Sequence, residues 1–264
     1  MIQTQLFDLT GRVAVVSGGA SGMGKAIALA LAEHGADVMI ADLNGEGARR
    51  TAERIEGLGR KGVAVECDVS NPEAIAALFA RLDRDFGRVD FLANVAGDGM
   101  IANPVEMTLD VVIRVFQNLV FGRFVMCQEA GRRMLKQGSG SIVSIGSLAS
   151  VSALGRGHVA YSMAMGAVAQ LTRELSTEWA RRGVRVNAIL PAQVLNPGLE
   201  ARIAADPSLK AKYLSGIPRG RLGAPDDIRG LAVLLASDAS SWISGALIPM
   251  DGGNLALNAG GTIG

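Results

Sequence analysis

Val15–Asp42 reads "VVSGGASGMGKAIALALAEHGADVMIAD", and this stretch decides the fold. A short apolar run ends in a turn carrying Gly18, Gly22 and Gly24. An amphipathic run over residues 22–34 follows, stopped by Gly35, and a second apolar run closes on Asp42. Glycine is needed in such a turn because the chain reverses tightly and a pyrophosphate must approach its backbone. The N–H groups at the start of the following helix then stabilise the phosphate charge. Glycine spacing alone is weak, but here a strand precedes it, a helix follows, and an acid ends the next strand eighteen residues beyond Gly24. A carboxylate at that strand end accepts hydrogen bonds from the adenosine ribose hydroxyls and repels a 2′-phosphate. The reading is therefore NAD rather than NADP.

Outward from this unit the same alternation continues. Apolar runs "RVAVVS", "DVMIAD", "GVAVE", "VDFLAN", "SIVSIGS", "VRVNAIL" and "ALIPMD" read as strands. Between them, helices are expected over about 45–58, from "SNPEA" onward, over 108–137, over 158–181 and near 225–236. Asn71-Pro72 marks a helix start, with Pro in the first turn and Glu73 near the positive end of the helix dipole. Strand-helix alternation of this kind implies a Rossmann-type, doubly wound α/β fold, with a parallel sheet of about seven strands covered by helices on both faces. With no internal repeat, charge block or linker, residues 1–264 are expected to form a single domain.

Composition narrows the function. A formal net charge of +1 gives no electrostatic reason for nucleic acid or an anionic membrane as partner. Two isolated cysteines, Cys67 and Cys127, are too few for a disulfide framework, and two distant histidines, His34 and His158, argue against a histidine metal site. The first twelve residues lack the build of a signal peptide, and no apolar run is long enough to span a membrane, so a cytoplasmic protein without bound metal is expected.

The spacing Ser17-Gly18-x-x-x-Gly22-x-Gly24 resembles the T-G-x-x-x-G-x-G turn of the short-chain dehydrogenase/reductase family, with Ser for Thr. The likeness runs from about residue 8 to 253. Asp68-Val69 matches the pair beside the adenine, and "NVAG" (Asn94 to Gly97) resembles the N-N-A-G segment after the fourth strand. "VNAILPAQV" (186–194) resembles the segment at the nicotinamide, with Ala192 for Gly, and residues 220–253 match the family's C-terminal stretch. The resemblance implies cofactor contacts at Ser17, Gly18, Ser21, Gly22, Met23, Gly24, Asp42, Leu43, Asp68, Val69, Asn94, Ala96, Gly97, Tyr161, Pro191, Ala192 and Val194.

It also implies the chemistry. Family members interconvert secondary alcohols and ketones, with Tyr as proton-transferring acid or base, Ser bonded to the substrate oxygen, Lys binding the nicotinamide ribose, and Asn holding a water of the proton relay. Ser147 matches the Ser, and Tyr161 follows fourteen residues later against a usual thirteen, so one extra loop residue is implied. Two positions depart. Residues i and i+4 share a helix face, and four positions after Tyr161, in "AYSMAM", the family's Lys is replaced by Met165. A thioether neither donates a hydrogen bond to a ribose nor stabilises a phenolate by charge. In "RVFQNLVFGRF" the Asn position falls on Leu119 when the run is aligned through Gly122. Asn118 lies one residue early, about 100° around an α-helix, and a local bulge would bring it back.

A weak or alkaline-shifted dehydrogenase follows from these losses. His158, three residues before Tyr161, offers a substitute acid or base near neutral pH, and Asp98 is a further polar candidate beside a turn. The substrate is expected above the C-terminal strand ends, between residues 98–101, 151–154, His158 and "QVLNPGLEARI", with a substrate loop over about 192–223. Those mostly apolar positions suggest a neutral, moderately hydrophobic small molecule. Two other readings stay open: an enzyme of the same fold doing non-redox isomerase or lyase chemistry, and an NAD-binding protein without catalysis. The resemblance implies a homodimer or homotetramer through the two long helices, with the tail 255–264 at the interface or disordered.

Overall fold

The computed structural model describes residues 4–257. Seven parallel strands form one sheet: β1 (Val13–Ser17), β2 (Asp37–Asp42), β3 (Gly62–Glu66), β4 (Phe91–Asn94), β5 (Gly140–Ile145), β6 (Val184–Pro191) and β7 (Leu247–Met250). Their spatial order is β3-β2-β1-β4-β5-β6-β7. Strand order reverses between β1 and β4, and the register there pairs Ser17 with Asn94 at the carboxyl ends. A crevice at such a switch point is where open α/β sheets bind ligands.

Helices cover both faces because the strands are apolar on both sides, as parallel strands must be. On one face α1 (Gly22–Glu33), α2 (Gly45–Glu56) and α9 (Arg229–Ala236) pack through residues such as Ile27, Leu31, Ile55, Ala232 and Leu235 against Val16, Ile40 and Ile145. On the other, α3 (Pro72–Asp85) and α5 (Gly122–Gln137) bring Ile75, Leu78, Phe79, Met126 and Met134 against Val15, Met39 and Leu92. α3 begins as expected: the Asn71 side chain accepts from the Glu73 and Ala74 amides, and Pro72 occupies the first turn. Both cysteines are buried, which pushes the Cys67 thiol up to about 11 and the Cys127 thiol up to about 12. Neither should react with a thiol reagent near neutral pH until denaturant is added, and labelling followed by mass spectrometry checks this.

Two expectations are corrected. The helix over 108–137 is interrupted: α4 (Leu109–Phe116) passes through a π-helical turn at Gln117–Phe121 before α5. That turn is anchored by the Gln117 amide donating to the Ser70 carbonyl at 2.9 Å, and it absorbs the extra residue between Asn118 and Gly122. Gly122 is required there because a Cβ would stand 2.0 Å from the Val69 carbonyl oxygen. The stretch 192–223 is not simple loop, since it holds α7 (Pro197–Ala205) and α8 (Ser208–Leu214). α7 starts at Pro197 behind an Asn196 side chain that accepts from the Leu199 amide. The remaining helix expected over 158–181 is α6 (Val159–Trp179) followed by a short 3₁₀ turn. Of the tail, Asn254–Leu257 form a last helical turn, α10, and residues 258–264 lie outside the described residues.

Candidate active site

The glycine turn between β1 and α1 is shaped by close backbone approach. Gly18 has φ +72°, and a Cβ on it would meet the Ala96 backbone nitrogen at 2.9 Å. A Cβ on Gly24 would lie 2.1 Å from the Gly18 carbonyl oxygen. Gly22 has φ +52° with open space beside it. Ser21 precedes α1 without using its side chain as a cap. Ser17 ties the two sides of the crevice together, since its Oγ accepts from the Val95 and Ala96 amides at 3.0 and 3.2 Å. The turn, the amides at the start of α1 and the open face at Gly22 fit a pyrophosphate without rearrangement.

At the end of β2 the Asp42 carboxylate is fixed by two backbone donors, Ala20 at 3.0 Å and Asn44 at 2.8 Å, one on each oxygen. Each oxygen retains acceptor capacity toward a ligand. Leu43 beside it is exposed. Asp68 is also exposed and accepts from the Ser70 amide, while Val69 is buried. Asn94 turns away from the crevice: its amide donates to Cys127 Sγ at 3.2 Å and its Oδ1 is buried without a partner.

A cavity of about 550 Å³ opens beyond the strand ends. Its wall gathers Met23, Gly97, Asp98, Gly99, Ser147, His158, Tyr161, Pro191, Ala192 and Val194, which the sequence singled out across five separate segments. Ser147 is buried at the end of the β5 segment, where its Oγ accepts from the Ala149 amide at 3.2 Å. Tyr161 projects from the first turn of α6, and only glycine fits at position 99, because a Cβ there would stand 2.6 Å from the Tyr161 ring. The His158 ring lies edge-on to Tyr161, with centroids 6.2 Å apart and Nδ1 2.9 Å from the Gly155 carbonyl oxygen. Asp98 accepts from its neighbour Gly99, as a turn residue does.

The two departures meet in space. Met165 is buried in an apolar cluster with Leu119, Val115, Ala149 and Val168, and both Met165 and Leu119 reach the cavity wall. Asn118 is not on that wall. Its buried Oδ1 has no partner and lies 3.2 Å from where a Cβ on Gly97 would stand.

The wall carries more positive charge than the mostly apolar lining expected from the sequence: Arg202 lies within the segment expected there, whereas Arg156 was not foreseen. Arg156 and Arg202 line it, and no carboxylate pairs with either among the described residues. Arg156 has φ +57°, a backbone state that non-glycine residues seldom adopt, and its guanidinium stacks 5.1 Å over the ring of Tyr213 from α8. Arg123, from the first turn of α5, is buried and reaches the same wall. A charged residue among Val125, Met126 and Cys127 was the one available signal. Among the described residues no cluster of His, Cys, Asp and Glu could hold a metal, and no helix is long and apolar enough to cross a membrane.

The family model described as enoyl-(acyl carrier protein) reductase matches residues 18–254. D-threitol dehydrogenase of Mycolicibacterium smegmatis is 40% identical over 94% of this chain and 94% of its own length. A short-chain type dehydrogenase/reductase from Mycobacterium marinum superposes with a TM-score of 0.88 at 31% identity, covering 95% of this chain and 98% of that one. A 7α-hydroxysteroid dehydrogenase complexed with NADH and 7-oxo glycochenodeoxycholic acid superposes with a TM-score of 0.91 at 32% identity, covering 96% and 98%.

Proposed function

The chain belongs to the short-chain dehydrogenase/reductase family of NAD(P)-dependent alcohol and ketone oxidoreductases, and from that premise we propose that it oxidises a small polar secondary alcohol, or reduces the matching ketone, with NAD(H). The observation that carries this reading is one cavity wall bearing Ser147 and Tyr161 beside a glycine turn built for pyrophosphate. The cofactor, when bound, accepts or supplies the hydride at the carbinol carbon. Ser17, Gly18, Ser21, Gly22, Met23 and Gly24 would hold its pyrophosphate side. Asp42 and Leu43 would meet the adenosine ribose, Asp68 and Val69 the adenine, and Asn94, Ala96, Gly97, Pro191, Ala192 and Val194 the nicotinamide half.

In oxidation the Tyr161 phenolate takes the alcohol proton as the hydride leaves, giving the ketone; in reduction the phenol returns it. Ser147, whose hydroxyl proton is not used by the contact to Ala149, donates to the substrate oxygen. Asn118, with its unpartnered oxygen beside Gly97, positions a water of the proton path. Residues 192–223, including α7 and α8, form the substrate loop of a single domain. Arg156, Arg202 and His158 favour a polar substrate, a polyol or hydroxy acid, over the neutral, moderately hydrophobic one read from the sequence.

Cofactor choice is tested by binding. NADH is expected to bind at least about tenfold more tightly than NADPH, because a 2′-phosphate faces the oriented carboxylate of Asp42. Asp42→Ala should narrow that gap, and equal affinities in the unaltered protein would refute NAD preference. Assembly through the long helices is supported by exposed apolar side chains on them: Ile113, Phe121 and Phe124 on one, Val159 and Met163 on the other. Light scattering should give the mass of a dimer or tetramer, and a monomer at micromolar concentration would count against it.

A further inference from the structure

We propose that Arg123 supplies the active-site positive charge that α6 lacks at Met165. The inference rests on the proton-transfer role proposed for Tyr161. Met165 is sealed against Leu119 in an apolar cluster, so the face of α6 beside Tyr161 carries no cation. Arg123 approaches the same cavity from the first turn of α5. Its Nη1 donates to the Ile145 carbonyl at 2.5 Å and its Nη2 to the Ala96 carbonyl at 3.3 Å. These carbonyls lie two residues before Ser147 and one before Gly97, so the guanidinium is clamped between the segments that flank the reacting groups. Its buried Nε has no partner.

A buried guanidinium normally has a carboxylate to offset its lost hydration. Arg123 has none among the described residues, and two neutral carbonyls do not neutralise it. Burial lowers its pKa to about 10, and the potentials of Tyr161 and Cys127 oppose that fall. The group therefore remains cationic at neutral pH. The Cys127 thiol, pushed up to about 12, is neutral there and is not its counter-charge. Asp98, on the same wall, accepts from the amide of its neighbour Gly99 and forms no ion pair with Arg123 among the described residues; a further negative charge forms during the reaction, on the Tyr161 phenol or the substrate oxygen. A buried cation held in place without a carboxylate partner stabilises such an anion. The charge assigned by family resemblance to the Tyr helix has thus moved to the start of α5. Arg123 is a positioning residue in this scheme, acting through Tyr161.

The test uses a Tyr213→Phe background, where Tyr161 is the only tyrosine, and follows the ultraviolet tyrosinate band of the cofactor-free protein against pH. Arg123→Gln keeps amide donors for the two carbonyls and removes the charge; Arg123→Lys keeps the charge. Arg123→Gln should raise the pH at which the band appears by about one unit or more, and Arg123→Lys should not. The rising limb of NAD-linked alcohol oxidation should move in the same direction. A band unmoved by Arg123→Gln in a folded protein overturns the proposal. If Arg123→Gln does not fold, Met165→Lys in the otherwise unchanged chain decides. No gain is expected, because the cation is already supplied, and a rise in neutral-pH activity of about tenfold or more overturns it. The titration needs no substrate, so failure of this proposal can be told apart from failure of the oxidoreductase reading on which it rests.

Discussion

Tyr161→Phe is expected to lower kcat/KM for alcohol oxidation by about 100- to 10,000-fold, the usual worth of a positioned acid or base. The substitution removes one oxygen and leaves the ring, which packs against the backbone at Gly99 and edge-on to His158. The cavity should therefore keep its shape. NADH affinity should change by no more than about tenfold, the most one neutral hydrogen bond contributes. Stopped-flow turnover alongside a fluorescence titration of NADH separates the two quantities. Loss of both together would mean that Tyr161 holds the cofactor rather than the proton, and loss of neither would remove it from the site.

Gly24→Ala should have the next largest effect. The new methyl would lie 2.1 Å from the Gly18 carbonyl oxygen and 2.6 Å from its carbon, both backbone atoms that no rotamer change can clear. The turn has to open, at a cost of about 1–3 kcal/mol or more. That opening displaces the amides proposed to bind the pyrophosphate. We expect a fall in Tm and a loss of NADH affinity of about tenfold or more, measured by calorimetry and titration. Gly230→Ala is the matched control. Gly230 is an exposed residue of α9 with nothing within 4 Å of an added Cβ. There the same substitution should stabilise by about 0.4–1 kcal/mol through the unfolded chain and leave NADH binding unchanged.

The periodic part of the fold was legible in the sequence because its signals are local. All seven strands were found, since each is a short apolar run bounded by turn residues, and Asn71-Pro72 marked a real helix start. The two helices within 192–223 were missed because the stretch is Pro-rich, whereas Pro197 occupies a first helical turn, where its missing N–H costs nothing. The irregularity around Asn118 was visible as one surplus residue, but sequence alone could not say whether the helix would rotate or bulge. The π turn resolves this by bulging, and it leaves Leu119, not Asn118, on the cavity wall.

Charge was the least legible feature. Arg123 sits in a helix rich in Arg and Lys, where a cation is ordinarily solvated; its burial depends on carbonyls from β4 and β5 segments that only the tertiary fold brings together. Arg202 lay in a segment expected at the pocket, but Arg156 was not singled out, because only the tertiary fold brings the loop before α6 onto the same cavity as α7.

The most direct test of the central claim is to mix the purified protein with NAD⁺ and small secondary alcohols, polyols, hydroxy acids and a steroid alcohol, at neutral and alkaline pH, and follow NADH absorbance. NADH should form with at least one polar alcohol in a stoichiometric match to ketone, and Tyr161→Phe should abolish it. Product appearing while NADH stays constant, or no change with any substrate while NAD⁺ demonstrably binds, would contradict an alcohol/ketone oxidoreductase.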